Sequence, residues 1–439
     1  MTTVSVKNDQ IQTVDIQNTY RKITLRIIPL LLLCYFFAYL DRINIGFAKL
    51  QMQSSLGLTD EIFGVAAGIF FLGYVMFEIP SNLLLEKIGA RKSIFRIMVL
   101  WGLTSASMLF VKSETSFYVL RFLLGVFEAG FAPGMIFYLT YWYSGARMAR
   151  IMSIVMLAGP IGGIIGSPVS AWIMDVMKDS TVMEGWQWLF LIEGLPTVFL
   201  GFVVFFYLDD HPSTAKWLTQ AEKDALAKDI GDIKQTSHSG FKSVLKDPWV
   251  YLISFAYFCI ISGIYAVAFW LPTLIKSSGI ESLTTIGIYS AIPYVVAAIF
   301  MWFLAKSSDM NQERKWHCII PIWLAAIALI ISVVYGHNFV LALAAISLAT
   351  GCMWAAYTVF WAIPSHYLEG TAAAGGIALI NTIGLLGGLV SPILMGYAKS
   401  MTGSLMAGWV VMAVLLGLGS ISLLLAYYRM NRKTTLAMA

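Results

Sequence analysis

The sequence predicts an all-α integral membrane protein with twelve transmembrane helices in two six-helix halves. Three observations carry this. Apolar residues make up 59% of the 439 and charged residues only 12%, about half the share a soluble domain uses to cover its surface. Mean hydropathy is +0.77. The basic residues behind the net charge of +5 sit in short clusters between long apolar stretches, which is how membrane topology is encoded. That spacing argues against a nucleic-acid partner.

A hydrocarbon core of about 30 Å takes about 20 apolar residues as a helix. Such windows fall at 25–48, 60–82, 93–112, 115–142, 150–175 and 186–208, then at 248–276, 283–305, 317–336, 339–365, 372–398 and 407–428. They divide the chain into an N-terminal segment 1–22, a first half 23–208, a linker 209–247, a second half 248–428 and a tail 429–439. The linker is the one long polar segment and reads as helical from Ala215 to Ile230. Residues 1–20 are polar and no small-residue cleavage site follows the first apolar run, so no signal peptide is expected. Cys34, Cys259, Cys318 and Cys352 show neither metal-ligand spacing nor a paired pattern and read as small hydrophobes. No metal or cofactor is expected.

Orientation follows from Lys and Arg. With both termini cytoplasmic, the inner segments hold twenty-two of the 29 basic residues. The outer loops hold Lys49, Lys112, Lys178, Lys276 and Lys399. That bias places both termini inside. The charged loop Glu86-Lys87-Ile88-Gly89-Ala90-Arg91-Lys92 after helix 2 has a counterpart after helix 8, Ser308-Asp309-Met310-Asn311-Gln312-Glu313-Arg314-Lys315. Recurrence six helices later points to duplicated halves, as in transporters built from repeats.

Ionisable residues inside a membrane are costly and mark function by default. Six qualify, all in the first half: Asp41 and Arg42 in helix 1, Glu78 in helix 2, Arg121 and Glu128 in helix 4, and Glu193 in helix 6. At about 1.5 Å per residue, Asp41 and Arg42 lie roughly 22–25 Å from the inner face and Arg121 roughly 9 Å from the outer face. Glu128 is two turns deeper than Arg121 on the same side. If helices 1 and 4 face each other, two guanidiniums and two carboxylates share one cavity. A guanidinium matches a carboxylate with a planar fork, and a carboxylate in low dielectric can serve as a protonatable switch. Mutual neutralisation as packing pairs is the alternative, and for Glu78 and Glu193 it is the preferred one.

Tyr39, Tyr74, Trp361 and Asn381 are polar-capable groups near these levels; neighbouring helices or a substrate could equally engage them. Glycine and proline cluster at Gly159-Pro160-Ile161-Gly162-Gly163 in helix 5 and Gly384-Leu385-Leu386-Gly387-Gly388 in helix 11. Such runs let backbones approach, where two halves would close or where helices simply pack.

Several segments resemble the anion:cation symporter family of the major facilitator superfamily. They are Leu40-Asp41-Arg42-Ile43-Asn44-Ile45-Gly46, Gly89-Ala90-Arg91-Lys92, the run from Arg121-Phe122-Leu123 to Glu128-Ala129-Gly130, Gly185-Trp186-Gln187-Trp188 through Glu193-Gly194, and Ala215-Lys216-Trp217-Leu218. With Arg314-Lys315-Trp316-His317, the likeness is to the bacterial branch of tartrate, rhamnonate, phthalate and 4-hydroxyphenylacetate permeases. It implies a major facilitator fold in a bacterial inner membrane, proton-coupled import of a mono- or dicarboxylate by alternating access, and a monomer. Asp41 and Glu128 match the proton-coupling acids. Arg42 matches the arginine on the substrate carboxylate and Arg121 the helix 4 arginine. Tyr39, Tyr74 and Asn381 match groups around the substrate, as does Trp361 across a gap. Two departures stand out: helix 5 has Pro160 near where sugar-acid members place a glutamine, and Glu86 and Asn82 replace the usual Asp and Gly.

The sequence therefore points to a symporter for a small organic anion, with the proton as coupling ion. A proton-independent facilitator or exchanger of a neutral or cationic metabolite is the alternative. An enzyme has no support, for want of a metal cluster, a nucleophile–base set or a loop large enough for a catalytic domain. Glu86, Arg91 and Lys92, with Asp309 and Arg314, are expected to latch the inner gate by charge pairing.

Overall fold

The computed structural model describes residues 15–231, 244–368 and 371–438. Twelve helices are long and apolar enough to cross a membrane. The first half comprises α1 Ile16–Leu56, α2 Asp60–Ile88, α3 Ala90–Phe110, α4 Glu114–Thr140, α5 Gly145–Val176 and α6 Gly185–Tyr207. The second comprises α7 Pro248–Ser277, α8 Leu283–Asn311, α9 Lys315–Val334, α10 Phe339–Pro364, α11 Gly375–Thr402 and α12 Met406–Arg429. No strand forms among the described residues. An even number of spans leaves both chain ends on one face, here the terminal face; the opposite one is the far face.

Helix starts are set by local chemistry. Asp15 accepts from the Gln17 backbone N–H at 2.9 Å, Thr59 from Ile62 at 3.2 Å and Asp247 from Trp249 at 3.0 Å, each relieving an orphan donor of a first turn. Three spans that the sequence draws as unbroken are jointed. Helix α4 breaks at Gly130, whose φ of +85° is left-handed, and the Ser81 side chain occupies the space a Cβ would take. Only glycine fits there without strain. Helix α5 is interrupted at Leu157 and α10 at Trp361.

Helix α1 also runs further than its apolar window, through Lys49 to Leu56. Lys49 is thus a helix residue with 0% exposure, not part of a loop. Lys276 and Lys399 likewise sit in the last turns of α7 and α11.

The linker packs on the first half. Its helix, Gln220–Ile230, is shorter than the sequence suggests. Tyr20 of α1 donates its hydroxyl to Asp229 at 2.6 Å, and Lys22 pairs with Glu222 at 3.1 Å. That hydroxyl holds the Asp229 carboxyl below the usual carboxylate range. Trp217 stacks on Trp142, in the turn after α4, at 5.6 Å and donates its indole N–H to Asp209 at 2.8 Å. Of the basic residues assigned above to inner segments, Lys7, Lys234 and Lys242 lie outside the described residues.

The halves meet through α1 with α7, α2 with α11 and α5 with α8. Small residues make the approach possible. A Cβ at Gly46 would meet the Phe269 carbonyl, one at Gly64 the Pro392 carbonyl, one at Gly163 the Tyr294 ring and one at Gly287 the Ala171 side chain. All these lie in the far-face halves of their helices, so the two halves close there.

Candidate functional site

Helices α1, α2 and α4 of the first half and α7, α10 and α11 of the second surround a polar site midway through the bundle. Arg42 is at its centre. Its Nε donates to Glu128 Oε1 at 2.8 Å, its Nη2 donates to the same oxygen, and its Nη1 donates to the Tyr265 hydroxyl of α7 at 3.1 Å. One side chain therefore joins the two halves. Tyr39 and Tyr74 stand over the guanidinium, each 5.5 Å from Cζ to ring centroid, with Phe70 at 5.8 Å. This aromatic enclosure favours a cation and keeps water away from it.

Arg121 is wholly buried. Its Nε donates to the Ala66 carbonyl at 3.2 Å and Cζ lies 5.1 Å from the Phe70 ring. Its two Nη atoms, and Glu128 Oε2, have no hydrogen-bond partner among the described residues. The site thus holds unused donors and an unused acceptor in a dry setting, where such groups are costly.

Asp41 is placed differently from the sequence expectation of one shared cavity. It turns away from Arg42 into the first half, accepting from Trp101 Nε1 and Ser105 Oγ of α3, both at 2.7 Å. The reason is helical geometry: neighbouring residues on a helix point about 100° apart, so Asp41 and Arg42 cannot both face α4. Asn44, one turn on, donates at 3.3 Å to Asp41 and at 3.0 Å to Glu193, which also accepts from Ser170 at 2.7 Å. Glu193 thus belongs to a neutral-donor network linking α1, α5 and α6.

The second half contributes aromatic and amide groups to the site. Trp354 of α10 packs on Tyr39 at 5.9 Å and on Tyr357 at 5.6 Å. Tyr257 of α7 meets Trp361 edge-on at 4.9 Å. Asn381 donates its side-chain amide to Glu78 of α2 at 3.0 Å. Tyr265, Trp354 and Tyr257 were not singled out by sequence, because 20 tyrosines and 14 tryptophans give no periodic signal. The helix 5 glycines make room for this wall: a Cβ at Gly159 would strike Trp354, and one at Gly162 would meet Tyr39.

Of the expected gate residues, only Asp309 and Arg314 pair with each other among the described residues. Arg91 turns to Asp210, with a backbone N–H bond of 2.8 Å and an ion pair of 3.9 Å. Arg314 pairs with Asp309 of its own loop at 2.6 Å. No ion pair of Glu86 or Lys92 occurs among the described residues. Among the described residues, the ion pairs of these two loops run to the linker or within the loop itself, and none crosses between the halves.

A cross-half ion cluster exists instead on the far face, where sequence reasoning saw only loop lysines. Lys49 Nζ lies 2.7 Å from Asp60 Oδ1 and 3.6 Å from the Trp270 ring centroid, and donates to Thr273 at 3.3 Å. Lys399 of α11 reaches the same Asp60 oxygen at 3.2 Å. Lys276 of α7 caps the Leu50 carbonyl at 3.0 Å.

Comparisons with known proteins place the chain in a family. The chain is 43% identical over 389 residues, 88% of its length and 89% of the relative's, to a Pseudomonas putida protein named as the metabolite transport protein NicT. It is 44% identical over 408 residues, 91% and 93% of the two chains, to an Agrobacterium vitis protein named as a tartrate transporter. Its fold matches the inward-facing, unoccupied crystal structure of a bacterial homologue of the human lysosomal transporter Spinster, with a TM-score of 0.75, 15% identity and coverage of 93% and 97%. The sequence model of the Major Facilitator Superfamily matches residues 31–392, and the chain is a twelve-span transporter belonging to that superfamily.

Proposed function

We propose that the chain is a proton-coupled symporter of the anion:cation symporter type, importing a small organic carboxylate across a bacterial inner membrane as a monomer with both termini cytoplasmic. One observation carries the reading: Arg42 is held between Glu128 of its own half and Tyr265 of the other. A carboxylate on Arg42 must take the place of the Glu128 carboxylate. That exchange is unfavourable while Glu128 is ionised, since two carboxylates would compete for one guanidinium in low dielectric. A proton on Glu128 removes the competition, so proton and anion bind together. Arg121, with two free Nη atoms, keeps the neutralised pocket attractive to an anion. Asp41, hydrogen-bonded to Trp101 and Ser105, is the second proton acceptor, reached through the α1–α3 contact. Tyr39, Tyr74, Trp361 and Asn381 bound the substrate.

The relatives support the class. Tartrate, in one relative's name, is a hydroxy dicarboxylate small enough for an aromatic-walled site. The test is uptake of a panel of radiolabelled hydroxy, aromatic and sugar acids into proteoliposomes under an imposed inward proton gradient. At least one acid should accumulate above equilibrium, and collapse of the gradient should end accumulation. Equal uptake with and without the gradient would assign the chain to the facilitators instead.

A further inference from the structure

The mechanism leaves two buried acids unused, Glu193 within the first half and Glu78 at the contact between the halves. Glu78 lies on α2 near the terminal-face side of the site, 8% exposed. Its Oε1 accepts the Asn381 amide at 3.0 Å, while Oε2 has no partner among the described residues. The pair crosses from the first half to the second, nearer the terminal face than the glycine contacts that close the far face. Tyr74, which stands over the Arg42 guanidinium, lies one turn back from Glu78 on α2.

Glu78 thus repeats at Asn381 what Glu128 does at Arg42: a carboxylate of the protein occupies a donor in the wall of the site. An amide N–H donates to one strong anionic partner in a given direction, and a second carboxylate beside the first is repelled. We propose that Glu78 is an internal competitor for the substrate at Asn381, setting affinity and tying the halves together until the anion displaces it. This rests on the organic-anion reading above. In the empty transporter Glu78 holds α2 to α11. An arriving anionic or hydroxyl group takes the Asn381 amide, Glu78 is released, and the two helices separate or re-pair during the transport cycle. A protein carboxylate serving as the placeholder makes release of the substrate easier, because its departure restores a bond already built into the fold.

The test is calorimetric titration of purified protein with the same carboxylate panel, using wild type, Glu78→Ala, Glu78→Gln and Asn381→Ala. A charge-assisted hydrogen bond gives an expected scale of about tenfold. Glu78→Ala should bind the preferred acid about tenfold more tightly than wild type, Glu78→Gln should fall between the two, and Asn381→Ala should bind about tenfold more weakly. Counterflow at symmetric pH should show slower exchange in Glu78→Ala, because the tightly held anion leaves slowly. Glu78 substitutions that weaken binding alongside Asn381→Ala would make Glu78 a mere support for Asn381 and overturn the competition. Unchanged affinity in both Glu78 variants would overturn it too, while leaving the symport reading intact. A wild-type protein that binds no acid of the panel would overturn the organic-anion reading and this inference with it. Glu78→Gln, which keeps an acceptor for Asn381, guards against loss of the fold.

Discussion

Arg42→Ala should abolish transport of every acid in the panel, even at symmetric pH where no proton coupling is required. The substitution removes the guanidinium that spans Glu128 and Tyr265 and leaves Glu128 buried at 0% exposure. An uncompensated buried charge costs about 3–5 kcal/mol, so Arg42→Ala should also melt lower than wild type or take up a proton on Glu128. The double variant Arg42→Ala, Glu128→Gln separates the two effects. It should regain thermal stability in detergent while remaining unable to bind or exchange substrate. Retained exchange in the double variant would show that the pair is structural and that the charged centre carries no substrate.

Asp60→Asn should have the largest effect on conformation. Asp60 compensates Lys49, whose ammonium has no exposure and is packed on Trp270 of the other half. It also receives Lys399 from α11. Asp60→Asn leaves two ammonium groups facing each other across the closed face, at a cost of about 3–5 kcal/mol for the buried one. The expected outcome is a shift towards a state open on the far face. All four native cysteines are buried, so spin labels on Ser55→Cys and Ser404→Cys, at the far-face ends of α1 and in the loop before α12, report the gap selectively. Asp60→Asn should move the distance distribution to longer values, and adding Lys49→Met should reverse much of the shift. An unchanged distribution would mean that the glycine contacts alone close this face.

The architecture was legible because membrane thickness imposes length and apolarity on each span: every predicted window matches one helix of the fold, overrunning an end by at most three residues. Depth brought Arg42, Arg121 and Glu128 into one zone but set Arg121, not Glu128, at the level of Arg42, whereas the structure pairs Arg42 with Glu128. Depth does not give azimuth, which is why Asp41 was expected beside Arg42 and instead faces Trp101 and Ser105. Lys49 was hidden for another reason. Gln51 and Gln53 follow it, so hydropathy ends the helix early, although Gln53 and Lys49 both bind Asp60 and carry α1 into the far-face contact. For the expected gate residues, a charge pattern shows which loops are ionic but not where their partners lie. Asp210 and Asp309 satisfy Arg91 and Arg314 locally. Joints such as Gly130 were invisible inside an unbroken apolar run.

The division of labour that emerges has charge on the first half and an aromatic and amide wall on the second, joined by Arg42–Tyr265 and Glu78–Asn381. Its central claim is that the substrate anion takes the place of the Glu128 carboxylate on Arg42 when Glu128 is protonated. The most direct test combines Asp41→Asn with Glu128→Gln and compares counterflow with gradient-driven accumulation in the same proteoliposomes. The account predicts that the double variant still exchanges labelled for unlabelled acid but no longer concentrates it when a proton gradient is imposed. Accumulation at the wild-type level in that variant would contradict it.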